Sequence, residues 1–373
     1  MQIIDKTLHL PTESLESLAL YTQQSIEHFC VFDIETTGLS PKISSLYLVG
    51  ALWYDRDQKQ FCIRQWFADD YISEVDILQA FGQFLEPFTL LVHYNGSGFD
   101  IPYIEKKCGE LNVDIPFHKI QNLDIYREIR RLKSLFPAPD LKLPTVERLT
   151  GFMRKDVLSG RDCIDIYSQF MQKKYFRDEG MELEKQKLLL HNLEDLIGTL
   201  YSALLLNYKN PRNLLQSGTK IQMQVQKDHI YIEIPSPCPF SFPLNWKPAP
   251  FTVHWEGQEI SIRVPLYHGT LYHFFKNYKD YYYLPAEDTA IHKSVGTYVE
   301  KEFRQPAKAS NCYTKKEGTF LPVPVSLDLT DNQLLLFRAG YREKQSYVVW
   351  DDKIRQDEAL LRDILCALLE NPG

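Results

Sequence analysis

The chain has 373 residues, 44% of them hydrophobic and 24% charged, which allows two domains of about 100 to 200 residues each and excludes extensive disorder. Its formal net charge of −7 excludes coating of nucleic acid by bulk electrostatics, so any such contact must be local. No apolar run approaches the roughly 20 residues that span a bilayer, and Met1 to Leu20 lacks a basic segment followed by an apolar one, which points to a cytosolic protein with no membrane partner.

In chain order, three strands are expected first, Phe29 to Glu35, Leu46 to Tyr54 and Phe61 to Phe67, the last two joined by the polar turn Asp55 to Lys59 as an antiparallel meander. A helix-period stretch follows from Ser73 to Leu85, then a short strand from Thr89 to His93, a helix opening near Pro102 and a strand near Ile120 to Ile125. Three antiparallel strands followed by βα units predict an α/β fold with a mixed five-stranded sheet and helices on both faces, the order of the ribonuclease H-like fold. A long helix leads into Pro211, Asn213, Ser217 and Gly218, so the boundary falls there, with one domain over 1–210 and a β-rich α+β domain over 211–373. Beyond it, strands are expected at Ile221 to Gln226, His229 to Ile234, Phe251 to Trp255 and Gln258 to Val264, the last two linked by a tight turn at Glu256-Gly257, with a final helix from Glu358 to Leu369. The seven cysteines, Cys30, Cys62, Cys108, Cys163, Cys238, Cys312 and Cys366, are scattered and never spaced C-x-x-C, so most are expected to be buried thiols.

Chemistry concentrates in three places. The first strand, FCVFDIE, is apolar until Asp33 and Glu35, which lie two apart and project from one face. Two like charges together at the end of a buried strand cost several kcal/mol, about the scale of an uncompensated buried ion, unless a cation or proton intervenes, so the pair suits a divalent metal with hard oxygen ligands; the alternative is that the chain has already turned into solvent at Thr36-Thr37-Gly38. Asp100 ends the run Tyr94-Asn95-Gly96-Ser97-Gly98-Phe99-Asp100 at a strand-to-helix junction, where it serves as a helix N-cap, a metal-facing acid, or both. The helix Leu188 to Tyr201 carries an apolar face, with His191 and Asp195 opposite it beside the small residues Gly198 and Ser202. A mid-helix glycine costs about 1 kcal/mol relative to alanine, so Gly198 implies that something packs or binds against that face.

These residues resemble the DEDD exonuclease superfamily, in which D-x-E on the first strand, N-x-x-x-F-D at a strand-helix junction and a late helical aspartate assemble one metal site; Asp33, Glu35, Asp100 and Asp195 match. DIETTGL at Asp33 to Leu39, HYNGSGFDIP at His93 to Pro102, HNLEDL at His191 to Leu196, and the segment Leu141 to Tyr167 with its R-x-D and LSG most resemble bacterial YprB-like ribonuclease H-like proteins, over about residues 25 to 206. His191 stands four before Asp195, the place of the tyrosine in the tyrosine subclass. The resemblance implies two divalent ions, Mg²⁺ or Mn²⁺, one held by Asp33, Glu35 and Asp195 and one by Asp33 with Asp100 through water. His191 then orients or deprotonates the attacking water. It further implies 3′-5′ hydrolysis of single-stranded DNA or RNA from 3′ ends, with Thr36, Asn95, Phe99 and Asn192 against the substrate and Asp124 behind the metal-facing acids. A catalytically inactive nucleic-acid-binding adaptor and a metal-dependent endonuclease are the alternatives. In the second half, aromatics crowd Tyr267 to Tyr283 and Lys301, Arg304, Lys308, Lys315 and Lys316 follow; they either grip a single strand or form core and solvated surface, and the second is favoured.

Overall fold

The computed structural model describes residues 1–209, 221–236, 239–247, 250–324, 327 and 334–369. The first strands fall where the apolar runs placed them: β2 (Phe29–Thr36), β3 (Leu46–Asp55) and β4 (Gln60–Phe67) form the antiparallel meander. β5 (Leu90–His93) and β6 (Gln121–Asp124) then add in parallel beside β2. The sheet is mixed as expected but has six strands, not five, in the order β1-β4-β3-β2-β5-β6. The extra strand, β1 (Gln2–Leu8), pairs antiparallel with β4 at the edge and shows only a half-exposed, mixed pattern, which gives no period-2 signal.

Helices cover both faces. On β2, Cys30, Phe32 and Ile34 enter one apolar core with α2 (Glu74–Phe84), α3 (Asp100–Leu111) and α6 (Gly160–Tyr175), while Phe29 and Val31 enter the other. The second core takes in α1 (Glu13–Thr22), α4 (Ile125–Ile129), α5 (Leu143–Leu149) and the later turns of α7 (Met181–Ser202). A strand buried on both sides explains the uninterrupted apolar run of Phe29 to Phe32.

The second half opens with a five-stranded antiparallel sheet, β7-β8-β11-β10-β9, built from β7 (Gln222–Gln226), β8 (His229–Pro235), β9 (Leu244–Trp246), β10 (Thr252–Glu256) and β11 (Glu259–Pro265). Alternation in β8 and β11 buries Ile230, Ile232, Ile234, Ile260, Ile262 and Val264. At the β10–β11 turn Gly257 has φ 56°, the left-handed conformation that a tight hairpin demands. Two three-stranded sheets and a closing helix, Glu358–Leu369, complete the chain. The buried face of the five-stranded sheet joins the second core of the first half: Tyr208 stacks on Phe242 at 5.0 Å, its hydroxyl donates to the Phe242 carbonyl at 2.6 Å, and Phe136 meets Phe242 at 5.7 Å. The boundary expected at Pro211 to Gly218 lies outside the described residues, as does Cys238. The other six cysteines are buried free thiols. Among the described residues no helix is long and apolar enough to cross a membrane.

Candidate active site

Because β2 and β5 run parallel, their carboxyl ends open on the same edge of the sheet, the usual place for a site in an α/β fold. Asp33 and Glu35 continue the row begun by Phe29 and Val31, on the face that α7 crosses. That crossing is close because β3 carries Gly50 opposite Asp33; a Cβ there would lie 2.1 Å from Asn192 Oδ1 and 2.9 Å from Leu196 Cδ1. Next in the same cross-strand row is Gln65 of β4, whose amide donates to Asn192 Oδ1 and to the Leu189 carbonyl, both at 2.9 Å. Asn192 in turn donates to Asp33 Oδ2 at 2.9 Å. This chain of amides fixes the rotation of α7 relative to the strand that bears the acids.

With α7 so held, one carboxylate oxygen from each of Asp33, Glu35 and Asp195 lies within 4.8 Å of the others. Asp100, first residue of α3, is not the N-cap; Phe99 holds that position, and the Asp100 carboxylate accepts from its own N–H and from Ile34 N–H. Burial pushes the Asp33 carboxyl well above its ordinary range, and the charges of Asp195, Asp100 and Glu35 add to this against the Asn192 amide. Glu35 is raised to about 8, chiefly by burial, with His191 pulling the other way and Asp195 and Asp100 adding to the rise. Asp100 rises to about 7, again by burial first, partly offset by its backbone donors and reinforced by Asp124 and Asp195. A cluster that resists ionisation this strongly is short of positive charge.

His191 lies on α7 with Nε2 3.6 Å from both Glu35 Oε1 and Asp195 Oδ2. Its Nδ1 is 2.6 Å from Asp156 Oδ2. Burial lowers the affinity of this imidazole for its proton, but Glu35, Asp195 and Asp156 outweigh that and hold it above the ordinary histidine range. The segment 152–158 supplies residues that the pattern of the sequence did not assign. Arg154, within the R-x-D, donates to Glu147 at 2.5 and 2.8 Å and to Asp195 Oδ1 at 2.7 Å. The backbone N–H groups of Lys155 and Asp156 donate to Glu194. Gly198 faces this arrangement, since a Cβ there would lie 2.4 Å from Glu147 Oε2, so the packing inferred from the mid-helix glycine is with Glu147.

The remaining expected residues divide. Asn192, expected at the substrate, is fully buried with its amide engaged on Asp33 and Gln65, so it braces the acids instead. Thr36 is buried and donates to the Gly38 carbonyl, closing the turn after β2. Asn95 is exposed at φ 62°, and Phe99 is half-buried 5.5 Å from Tyr103. Asp124 accepts from the N–H groups of Asn95, Ser97 and Arg127, and so ties the Tyr94 to Asp100 turn to the start of α4. Gly96 follows from close packing, because a Cβ would lie 2.8 Å from the His93 ring. In the second half, Lys315 pairs with Asp288, Arg304 lies 4.5 Å over the Tyr282 ring, and His292 caps Ser294 N–H, which accounts for much of the aromatic and basic cluster locally.

A family model described as the RNase H superfamily matches residues 30–204, the stretch that contains β2 to β6 and α7. The fold and this match define a ribonuclease H-like domain in the first half of the chain. No curated protein matches the chain. Among solved structures it is similar to the family B DNA polymerase of the hyperthermophilic archaeon Pyrobaculum calidifontis, at 15% identity and a TM-score of 0.36 over 68% of this chain and 35% of that one. It is similar also to E. coli exonuclease I in a metal-free complex with single-stranded DNA, at 16% identity and 0.33 over 61% of this chain and 53% of that one. A complex of E. coli exonuclease I with a dT13 oligonucleotide gives 15% identity and 0.32 over 61% and 54%. The chain thus covers between 35% and 54% of these proteins, and likenesses at such scores assign neither residues nor activity.

Proposed function

We propose that this chain is a metal-dependent 3′-5′ exonuclease that hydrolyses phosphodiester bonds of single-stranded DNA or RNA, with two Mg²⁺ or Mn²⁺ ions as cofactors. The single observation that supports it most is the approach of Asp33, Glu35 and Asp195 within 4.8 Å in a pocket where burial and mutual repulsion oppose the ionisation of Asp33 and Glu35. Three hard oxygen donors, of which Asp33 and Glu35 lack a paired lysine or arginine among the described residues, fit a small divalent cation better than any other partner. Asp33, Glu35 and Asp195 would hold one ion, and Asp33 with Asp100 the other. Bound there, such ions lower the pKa of a water and offset the charge that develops on the leaving 3′ oxygen.

The chain's own groups do the rest. Asp33 and Asp195 are only half-buried, which leaves the carboxylates open to a substrate from one side. Asp156 accepts the Nδ1 proton of His191 and so leaves Nε2, facing the carboxylates, to take a proton from the attacking water. Arg154 supplies fixed positive charge to Asp195 and limits its rotation.

The test is release of mononucleotides from single-stranded oligonucleotides labelled at the 3′ end, with Mn²⁺ present. Asp33→Asn and Asp195→Asn should each lower the rate by more than the about 100-fold that loss of an outer partner costs. Equal rates in the wild type and both variants would refute the reading. Circular single strands should stay intact, and their cleavage would replace the exonuclease by an endonuclease.

A further inference from the structure

A second donor set overlaps the oxygen cluster without being part of it. Glu35 of β2, Cys163 of α6 and His191 of α7 each present a ligand atom, all within 4.8 Å of one another. All three side chains are buried, Cys163 completely. The thiol comes from an element that the proposed nuclease chemistry does not use, and no C-x-x-C spacing signals it.

Two features set this group apart from a buried thiol beside a histidine. The first is chemical type: sulfur, imidazole and carboxylate together suit Zn²⁺ and its relatives, whereas Mg²⁺ and Mn²⁺ prefer oxygen throughout. The second is the support behind the histidine. Asp156 lies 2.6 Å from Nδ1, the carboxylate-histidine arrangement that fixes the tautomer of a metal-ligating imidazole and directs Nε2 at the ion. Nε2 and Glu35 Oε1 stand 3.6 Å apart, close to the about 3.3 to 3.7 Å expected between two ligands of a tetrahedral ion with bonds of about 2.0 to 2.3 Å. Three protein ligands leave a fourth position for water.

We propose that Glu35, Cys163 and His191 bind a thiophilic divalent cation of the Zn²⁺ class, and that by claiming Glu35 this ion excludes the oxygen-bound ions and silences the site. On binding, the Cys163 S–H bond breaks and the sulfur lone pair forms the metal bond, any proton on Glu35 or on His191 Nε2 is likewise released, and these protons pass to solvent; no oxidation or reduction is involved. Only the silencing rests on the nuclease reading; the binding does not.

Titration of the full chain with Co²⁺ tests the binding, because a cysteine ligand gives a thiolate-to-cobalt charge-transfer band in the near ultraviolet. The wild type should develop this band, Zn²⁺ should displace it, Cys163→Ala should lack it, and Cys312→Ala should keep it. No band in the wild type, or the same band in Cys163→Ala, overturns the proposal. Should Cys163→Ala fail to fold by circular dichroism, His191→Gln, which keeps the thiol, decides: Co²⁺ binding must weaken at least about tenfold, and unchanged binding overturns it. For the silencing, Zn²⁺ should inhibit Mn²⁺-supported nucleotide release in the wild type and do so less in Cys163→Ala. Inhibition of equal strength in both contradicts the silencing. If no metal supports nucleotide release, the nuclease reading fails while the cobalt result still stands or falls alone.

Discussion

Arg154 shows how much of a site can hang on one side chain. It is 12% exposed and bridges Glu147, 1% exposed, to Asp195. Removing one partner of a buried ion pair leaves the other charge unsolvated, which costs about 3 to 5 kcal/mol. Arg154→Met keeps the length of the stem and should therefore lower unfolding free energy in urea by about that amount, with a further loss of Mn²⁺ affinity as Asp195 is released. A variant as stable as the wild type would show that the guanidinium is dispensable. Asp33 and Glu35 stood out in the sequence because they end an apolar run, and His191 and Asp195 because they lie opposite the apolar face of one helix. Arg154, Glu147, Asp156 and Gln65 did not. Apart from Glu147, seven residues from Arg154, their partners lie far along the chain, 41 residues for Arg154 with Asp195 and 35 for Asp156 with His191, and no periodicity encodes such a pairing.

At the scale of elements, α7 is seated by two glycines, Gly50 of β3 where it crosses the sheet and Gly198 where it meets Glu147 of α5. Alanine at Gly198 would ordinarily stabilise a helix by about 1 kcal/mol, yet its Cβ would meet the tightly bonded Glu147 carboxylate at 2.4 Å. The clash outweighs the propensity, since overpacking costs about 1 to 3 kcal/mol, and Gly198→Ala should lower the melting temperature. Gly50→Ala strikes Asn192 at 2.1 Å and should shift α7 away from β2. Its mark is weaker Mn²⁺ binding in a protein that still folds, and unchanged affinity would mean that the Gln65–Asn192–Asp33 connection does not set the site. The strands of the meander were readable as nearly continuous apolar runs bounded by polar turns, and the amphipathic helices because burial repeats along them. Edge strand β1 was not, since one side of its backbone faces solvent and its residues are mostly exposed. The cap at Asp100 was misplaced by one residue because the cap, Phe99, is apolar and makes no side-chain capping bond, so polarity pointed to the next residue.

For the whole molecule, the acidic cluster makes stability depend on pH in an unusual direction. Glu35 and Asp100 hold their protons up to about 8 and 7 in the folded protein, whereas in the unfolded chain such groups release them near about 4. Between those limits the folded state binds more protons, so stability is full below about pH 4 and falls as pH rises through the folded values. His191, also raised, acts in the same sense. In EDTA the melting temperature should fall from pH 5 to pH 9, on the order of several degrees, and Mn²⁺ should flatten that slope by replacing the protons. The same slope with and without Mn²⁺ would contradict it. The two halves are joined by the core around Tyr208, Phe242 and Trp255. A chain ending at Lys209 should accordingly lose cooperative unfolding, and a cooperative transition with wild-type midpoint would show that the first half stands alone.

The central claim is that Asp33, Glu35 and Asp195 together bind a divalent cation, and calorimetric titration with Mn²⁺ tests it most directly. The wild type should give a saturable isotherm, weakened more than about tenfold in Asp33→Asn and in Asp195→Asn but not in Asp5→Asn, an exposed residue paired with Arg64. Indistinguishable isotherms in all four proteins would contradict it.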